Sequence, residues 1–211
     1  STAVASKFYS RFFITGSYRM RLSSPRINPI QEKEWSKTQR DILKMQTMRG
    51  KVQNIFLTLA HHEKLAKRWL VFANHILNKS TLNAIDREML ILRIGWLCQS
   101  GYEWSQHEII AAKAGLTSNQ IEAIKAGKND PCWTERENLL LTAADELYYD
   151  SFISTPTWDG LNAYYSTQQM MDLVFTVGQY NLVSMALNSF GVQLDEDLRE
   201  WKGNSDDATK N

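Results

Sequence analysis

The sequence predicts an all-α fold in one domain, and three observations carry that expectation. Its long segments repeat apolar residues with the 3.6-residue period of a helix, no run alternates with the two-residue period of a strand, and no glycine-rich phosphate loop breaks the pattern. With 211 residues, 43% of them hydrophobic, the chain is long enough for one sizeable core and short for two. Three parts are expected: a basic, aromatic N-terminal arm over 1–30, a helical domain over 31–200 and a polar tail over 201–211.

In the first thirty residues Lys7, Arg11, Arg19, Arg21 and Arg26 occur without an acid and alternate with Phe8, Tyr9, Phe12 and Phe13. This suits an arm that packs on a neighbouring subunit; it also suits the remnant of an Arg-rich targeting peptide. A cytoplasmic location follows from the first reading and the mitochondrial matrix from the second. Pro25 and Pro29 bracket an extended linker, after which helical spacing runs over 31–48 and stops at Gly50. Asn54 is placed to cap a short helix to Ala60, and Leu65, Trp69, Phe72 and Ile76 form the apolar stripe of the next, 63–78. Asn83-x-x-Asp86 opens a further helix. Gly115 and Gly127 punctuate helices over 103–114 and 118–126, and Leu140, Ala144 and Leu147 face inward on 134–149. Thr155-Pro156 starts a helix to about Tyr164, and 168–190 is the last long one.

Composition removes several function classes. The net charge is +1, from 24 basic and 23 acidic residues, so no overall field points to nucleic acid or an anionic membrane. No apolar run reaches the roughly 18 residues of a membrane span. Cys98 and Cys132 make neither a disulfide framework nor a metal cluster and suit a reducing compartment. His61 and His62 are adjacent, so about 100° apart on a helix, and His75 has Lys79 where a second ligand would stand; no metal is expected.

The chain is organised around residues 88–107. From Met89 to Cys98 only Arg93 is charged, and the apolar residues lie on every side of the helical wheel, which predicts a helix buried nearly all round. Gly101 interrupts it, and Glu103 and His107 follow at i and i+4, about 40° apart on one face. A carboxylate beside an imidazole favours the protonated ring, which anchors an anion or delivers a proton; Arg93 adds a permanent cation nearby. Glu103 has a second reading, because Ser100-x-x-Glu103 fits a capping box, as do Thr117 with Gln120 and Thr134 with Glu137.

This stretch resembles the core of the carboxymuconolactone decarboxylase and alkyl hydroperoxidase D family. Redox members carry Glu, Cys, Cys and His at the places held here by Glu88, Ser100, Glu103 and His107, while the decarboxylase branch also lacks the thiols and has a carboxylate four residues before the His. The resemblance extends from about Trp35 to Leu198 and includes Val52-Gln53-Asn54-Ile55-Phe56, Ala143-Ala144-Asp145-Glu146-Leu147 and Val177-Gly178-Gln179-Tyr180-Asn181. It implies an alkyl hydroperoxidase D-like helical bundle and, together with a helix buried on all sides, a homo-oligomer, trimer or hexamer.

By the same resemblance the function is that of a cofactor-free lyase or isomerase acting on a small carboxylated lactone or related unsaturated acid. His107, Glu103, Glu88 and Arg93 are its catalytic candidates, and Ser100, Tyr102, Trp104, Gln179 and Tyr180 its pocket candidates. The alternative is a non-catalytic scaffold or small-ligand binder. A thiol peroxidase is disfavoured, because Ser100 and Glu103 replace both thiols and Cys98 lies on the buried helix. In a straight hairpin at about 1.5 Å per residue, Arg93 lies closer to the level of His107 than Glu88 does. Glu88 then needs a crossing angle or another subunit to reach the imidazole.

Overall fold

The computed structural model describes residues 20–48 and 50–198. Among them the α-helices are α1 Lys37–Leu43, α2 Asn54–Leu59, α3 Glu63–Asn74, α4 Ala84–Leu97, α5 Gly101–Ala114, α6 Ser118–Ala123, α7 Glu135–Asp150, α8 Thr155–Asn162 and α9 Thr167–Phe190. The all-α class stands, and α4 is the buried axis. On one side Leu90, Ile91 and Ile94 pack with Leu140, Leu173 and Val177 of α7 and α9. On another, Met89 and Leu92 meet Trp104, Ala111, Ile124 and Leu141. A helix clad on all sides needs no polar face, hence a run from Met89 to Cys98 in which only Arg93 is charged.

Polar groups lock its start. Asn83 caps α4 by accepting from the Asp86 amide at 2.9 Å, and the fully buried Asp86 carboxylate takes the Arg136 guanidinium of α7 and the Tyr165 hydroxyl. At its other end Gln99, φ +52, makes the left-handed turn, so Gly101 is the first residue of α5 and not the break itself. Gly95 lies where α5 crosses: a Cβ there would stand 3.5 Å from the Cβ of Glu103.

The capping boxes at Thr117 with Gln120 and Thr134 with Glu137 both form. The one at Ser100 does not: Ser100 is the N-cap of α5 without a side-chain cap bond, because Glu103 turns to His107 instead. The single helix expected over 31–48 is a 3-10 turn at Glu32–Glu34, then α1, a 3-10 turn at Lys44–Gln46 and a small hairpin pairing Thr47–Met48 with Lys51–Val52. Ser36 forms its own capping box with Gln39 and restarts the chain, and Gly50 at φ +81 reverses it. Gln53, not Asn54, is the N-cap of α2; the Asn54 side chain donates to the carbonyls of Gln193 and Leu194.

Residues 1–19, most of the expected arm, and the expected tail over 201–211 lie outside the described residues. Residues 20–30 cross the end of α9. The Arg26 and Ile27 amides donate to the Phe190 carbonyl at 2.8 and 3.1 Å, and Arg21 donates to the Cys98 carbonyl. Gly191, φ +69, passes so close that a Cβ would stand 2.9 Å from the Ser24 carbonyl oxygen. No helix of the described residues is long and apolar enough to cross a membrane.

Candidate active site

Glu88 is on the first turns of α4 and His107 in the middle of α5, and the crossing at Gly95 brings them together. Glu88 Oε2 lies 2.7 Å from His107 Nδ1, and Glu103 Oε2 lies 3.3 Å from Nε2 on the far side of the ring. A second Glu88 oxygen takes the Arg87 Nε at 3.2 Å. All three members are buried, at 0%, 4% and 5% exposure for Glu88, Glu103 and His107. With a carboxylate at each nitrogen, both contacts are attractive only if both nitrogens carry hydrogen. Burial opposes that charge, but Glu88 and then Glu103 outweigh it, and the imidazole's pKa is raised. Burial pushes the Glu103 carboxyl up to about 7, partly offset by His107 and reinforced by repulsion from Glu88. The site thus holds a carboxyl that exchanges its proton near neutrality.

Tyr180 of α9 packs edge-on against the imidazole, with ring centroids 4.9 Å apart at 87°. Burial, with the Glu103 and Glu88 charges behind it, holds its hydroxyl well above the usual phenol range. It is a neutral group across working pH.

His107 and Glu103 open onto a cavity of about 550 Å³ between α1, α2, α3, α5 and α9. That size suits a small organic ligand. Its walls are mostly apolar, with Ile55, Phe56, Trp69, Leu70, Ile110 and Val183 among them, and Lys67 at the exposed rim is the only Lys or Arg among its described lining residues. Gln179 lines the cavity at 4% exposure, and its amide makes no hydrogen bond among the described residues. An amide open to the cavity can donate to a ligand oxygen or accept from a ligand N–H. Along the wall from His107 a second polar group is fully engaged. Asp195 accepts from the Tyr102 hydroxyl at 2.8 Å, the Gln106 amide and the Asn54 backbone at 2.7 Å, and Gln53 donates to Gln106 at 2.8 Å.

The structure therefore gathers Glu88, Glu103 and His107, and places Tyr102, Gln179 and Tyr180 on the same cavity. Arg93 is elsewhere, which corrects the expectation drawn from hairpin height. Its guanidinium is paired with Asp145 Oδ1 and Oδ2 at 2.5 and 3.0 Å and donates to the carbonyls of Ile124 and Lys125. Trp104 also faces away from the cavity, edge-on to Trp96 at 5.6 Å with its indole N–H on Glu108. Ser100 is buried beside the turn and does not line the cavity.

Gln53, Gln106 and Asp195 were not singled out from sequence. For Gln106 the signal existed: 103, 106, 107 and 110 are one helix face. Asp195 enters from the segment after α9 and has no local signature. His61 bonds to the Asn28 carbonyl and His75 to Asp172, each at 2.8 Å, so the remaining histidines serve separate contacts. Among the described residues no group of three or more His, Cys, Asp or Glu is placed to hold a metal ion.

Comparison with known proteins places this arrangement. Residues 63–146 match the carboxymuconolactone decarboxylase family. No curated protein matches the chain. Among solved structures, an uncharacterized peroxidase-related protein from Ralstonia eutropha with an alkylhydroperoxidase AhpD core superposes with a TM-score of 0.73 at 17% identity, over 82% of this chain and 94% of that one. The debrominase Bmp8 in complex with 2,3,4-tribromopyrrole gives 0.70 at 15% identity over 84% and 96%. A putative antioxidant defence protein AhpD from Agrobacterium tumefaciens gives 0.60 at 16% identity over 65% and 94%. At these identities the likeness is one of fold.

Proposed function

We propose that the chain, whose residues 63–146 match the carboxymuconolactone decarboxylase family and which has the fold of an alkylhydroperoxidase AhpD core, is an acid/base lyase or isomerase of a small unsaturated acid or lactone. The observation that carries this reading is His107 clasped by two carboxylates, one of them at about 7, on the wall of an apolar cavity of about 550 Å³. The reaction needs only groups the chain supplies. In a decarboxylation the carbon–carboxylate bond breaks, its electron pair moves into the conjugated carbonyl as CO₂ leaves, and the resulting dienolate takes one proton at carbon from the Glu103–His107 pair. The isomerase variant removes a proton from one carbon and returns it to another through the same groups. Glu88 fixes the ring and supports its charge, and the Gln179 amide N–H is the donor for the enolate oxygen. With Arg93 turned away and both His107 nitrogens engaged, Lys67 at the rim is the cation that meets a substrate carboxylate.

A peroxidase reading lacks its nucleophile. Cys98 does not line the cavity, burial raises its thiol to about 11, and Ser100 and Glu103 stand at the family's thiol positions. The test uses a panel of carboxylated lactones and 3-oxo acids in D₂O, followed by mass spectrometry and CO₂ release. The wild type converts a member of the panel and places solvent deuterium on carbon, whereas folded His107→Ala does neither. Conversion by His107→Ala at the wild-type rate would overturn the assignment.

A further inference from the structure

The last helix has a second face that the cavity does not use. After its first residue, Thr167, its exposed positions are Gln168, Met171, Phe175, Gly178, Leu182, Met185 and Ser189. Their spacing alternates three and four residues along the helix, the spacing of a straight seam between two helices. Met171, Phe175, Leu182 and Met185 are 57%, 52%, 50% and 56% exposed, which is unusual for four large apolar side chains in a row. The only Asp, Glu, Lys or Arg in these 24 residues is Asp172, and it is turned inward to His75 and Thr81. The seam therefore carries no charge over about 32 Å.

The order of residues along this seam is nearly its own reverse about Gly178. Met171 and Met185 stand seven residues to either side, Phe175 and Leu182 three and four, and a polar residue closes each end. We infer that α9 pairs with α9 of a second copy of this chain, antiparallel, about a two-fold axis at Gly178. A two-fold interface must be self-complementary, and a palindromic stripe is self-complementary by construction. In that pairing Gly178 meets Gly178, Phe175 of one copy lies beside Leu182 of the other, and the two outer methionines meet at equal heights. Gly178 lets the backbones approach at the axis, and a Cβ there would meet nothing within 4 Å among the described residues, so their packing does not account for the glycine. An apolar hollow beside Leu182, walled by Leu65, Trp69, Ala186 and Phe190, lies where Phe175 of the second copy arrives. Pairing also backs the helix whose other face holds Gln179 and Tyr180 against the cavity.

The test uses the full chain with Cys132→Ser, which removes the exposed native thiol. Gly178→Cys is expected to give a disulfide-linked dimer under mild oxidation, and Met185→Cys, about 10 Å from the axis, to give none. Sedimentation velocity separately compares wild type with Phe175→Glu and with Leu182→Lys. Each variant alone is expected to halve the mass of the assembly, and mixing the two to restore it, since Glu at 175 then faces Lys at 182. A monomeric wild type, with the seam covered by residues 1–19, another protein or a membrane, overturns the proposal. So does failure of Gly178→Cys to cross-link, or of the mixed variants to reassociate.

Discussion

Replacing Glu103 by Gln removes an ionisable group whose surroundings oppose its ionisation. Burial, with Glu88 behind it, holds the carboxyl at about 7 instead of 4.5, against the counter-pull of His107. The sign follows from proton counting. Between these two values the folded state binds more protons than the unfolded one, so wild-type stability declines as pH rises from about 4.5 and levels off above about 7. At about 1.36 kcal/mol per tenfold change in proton affinity, the full loss is on the order of 3 kcal/mol. Gln keeps the shape and never ionises, so Glu103→Gln is expected to match wild type near pH 4.5 and exceed it at pH 8. For a chain of this length the gap corresponds to roughly 6 to 12 °C in Tm. Urea or thermal unfolding at half-unit steps from pH 4.5 to 8 measures it, and the carboxyl carbon of Glu103, followed by NMR in the wild type, should titrate near 7. A Gln variant no more stable than wild type at pH 8, or a difference constant across the range, would refute the claim that burial governs this group.

Two further substitutions separate architecture from chemistry. Arg93→Met leaves Asp145 and the carbonyls of Ile124 and Lys125 without their donor, so about 3 kcal/mol of stability should be lost in urea melts while kcat of the folded fraction stays at the wild-type value. A folded Arg93→Met protein without turnover would restore Arg93 to the active site. Gly127→Ala should destabilise by at least about 1 kcal/mol in the same assay, because the residue sits at φ +69 and the new Cβ would stand 2.7 Å from Arg93 Cζ; an unchanged midpoint would show that this turn relaxes freely.

How far the site could be read from sequence is decided by azimuth as much as by height. The helix class, the buried α4, the two distant capping boxes and the Glu103–His107 spacing are local properties, and local periodicity encodes them. The tie from Asp195 to Gln106 and Tyr102 is made by segments about ninety residues apart and leaves no periodic trace. The Glu88–Arg93 choice stands between these cases. Counting height from the turn favoured Arg93, but height says nothing about which side of α4 faces α5. Gly95 says it: it is the residue on which α5 rests, with Glu103 against it. Glu88 is seven residues before Gly95, about 20° from the same line, whereas Arg93 is two residues before it, about 160° away. The face that admits a close helix crossing is thus the face that carries Glu88, and the remaining offset along the axis is one that two long side chains span, as the 2.7 Å contact to His107 records. On the same count Arg93 has to point at the opposite neighbours, where Asp145 and the turn after α6 receive it. A small residue in an otherwise bulky, buried helix is therefore the local mark from which this non-local pairing can be read.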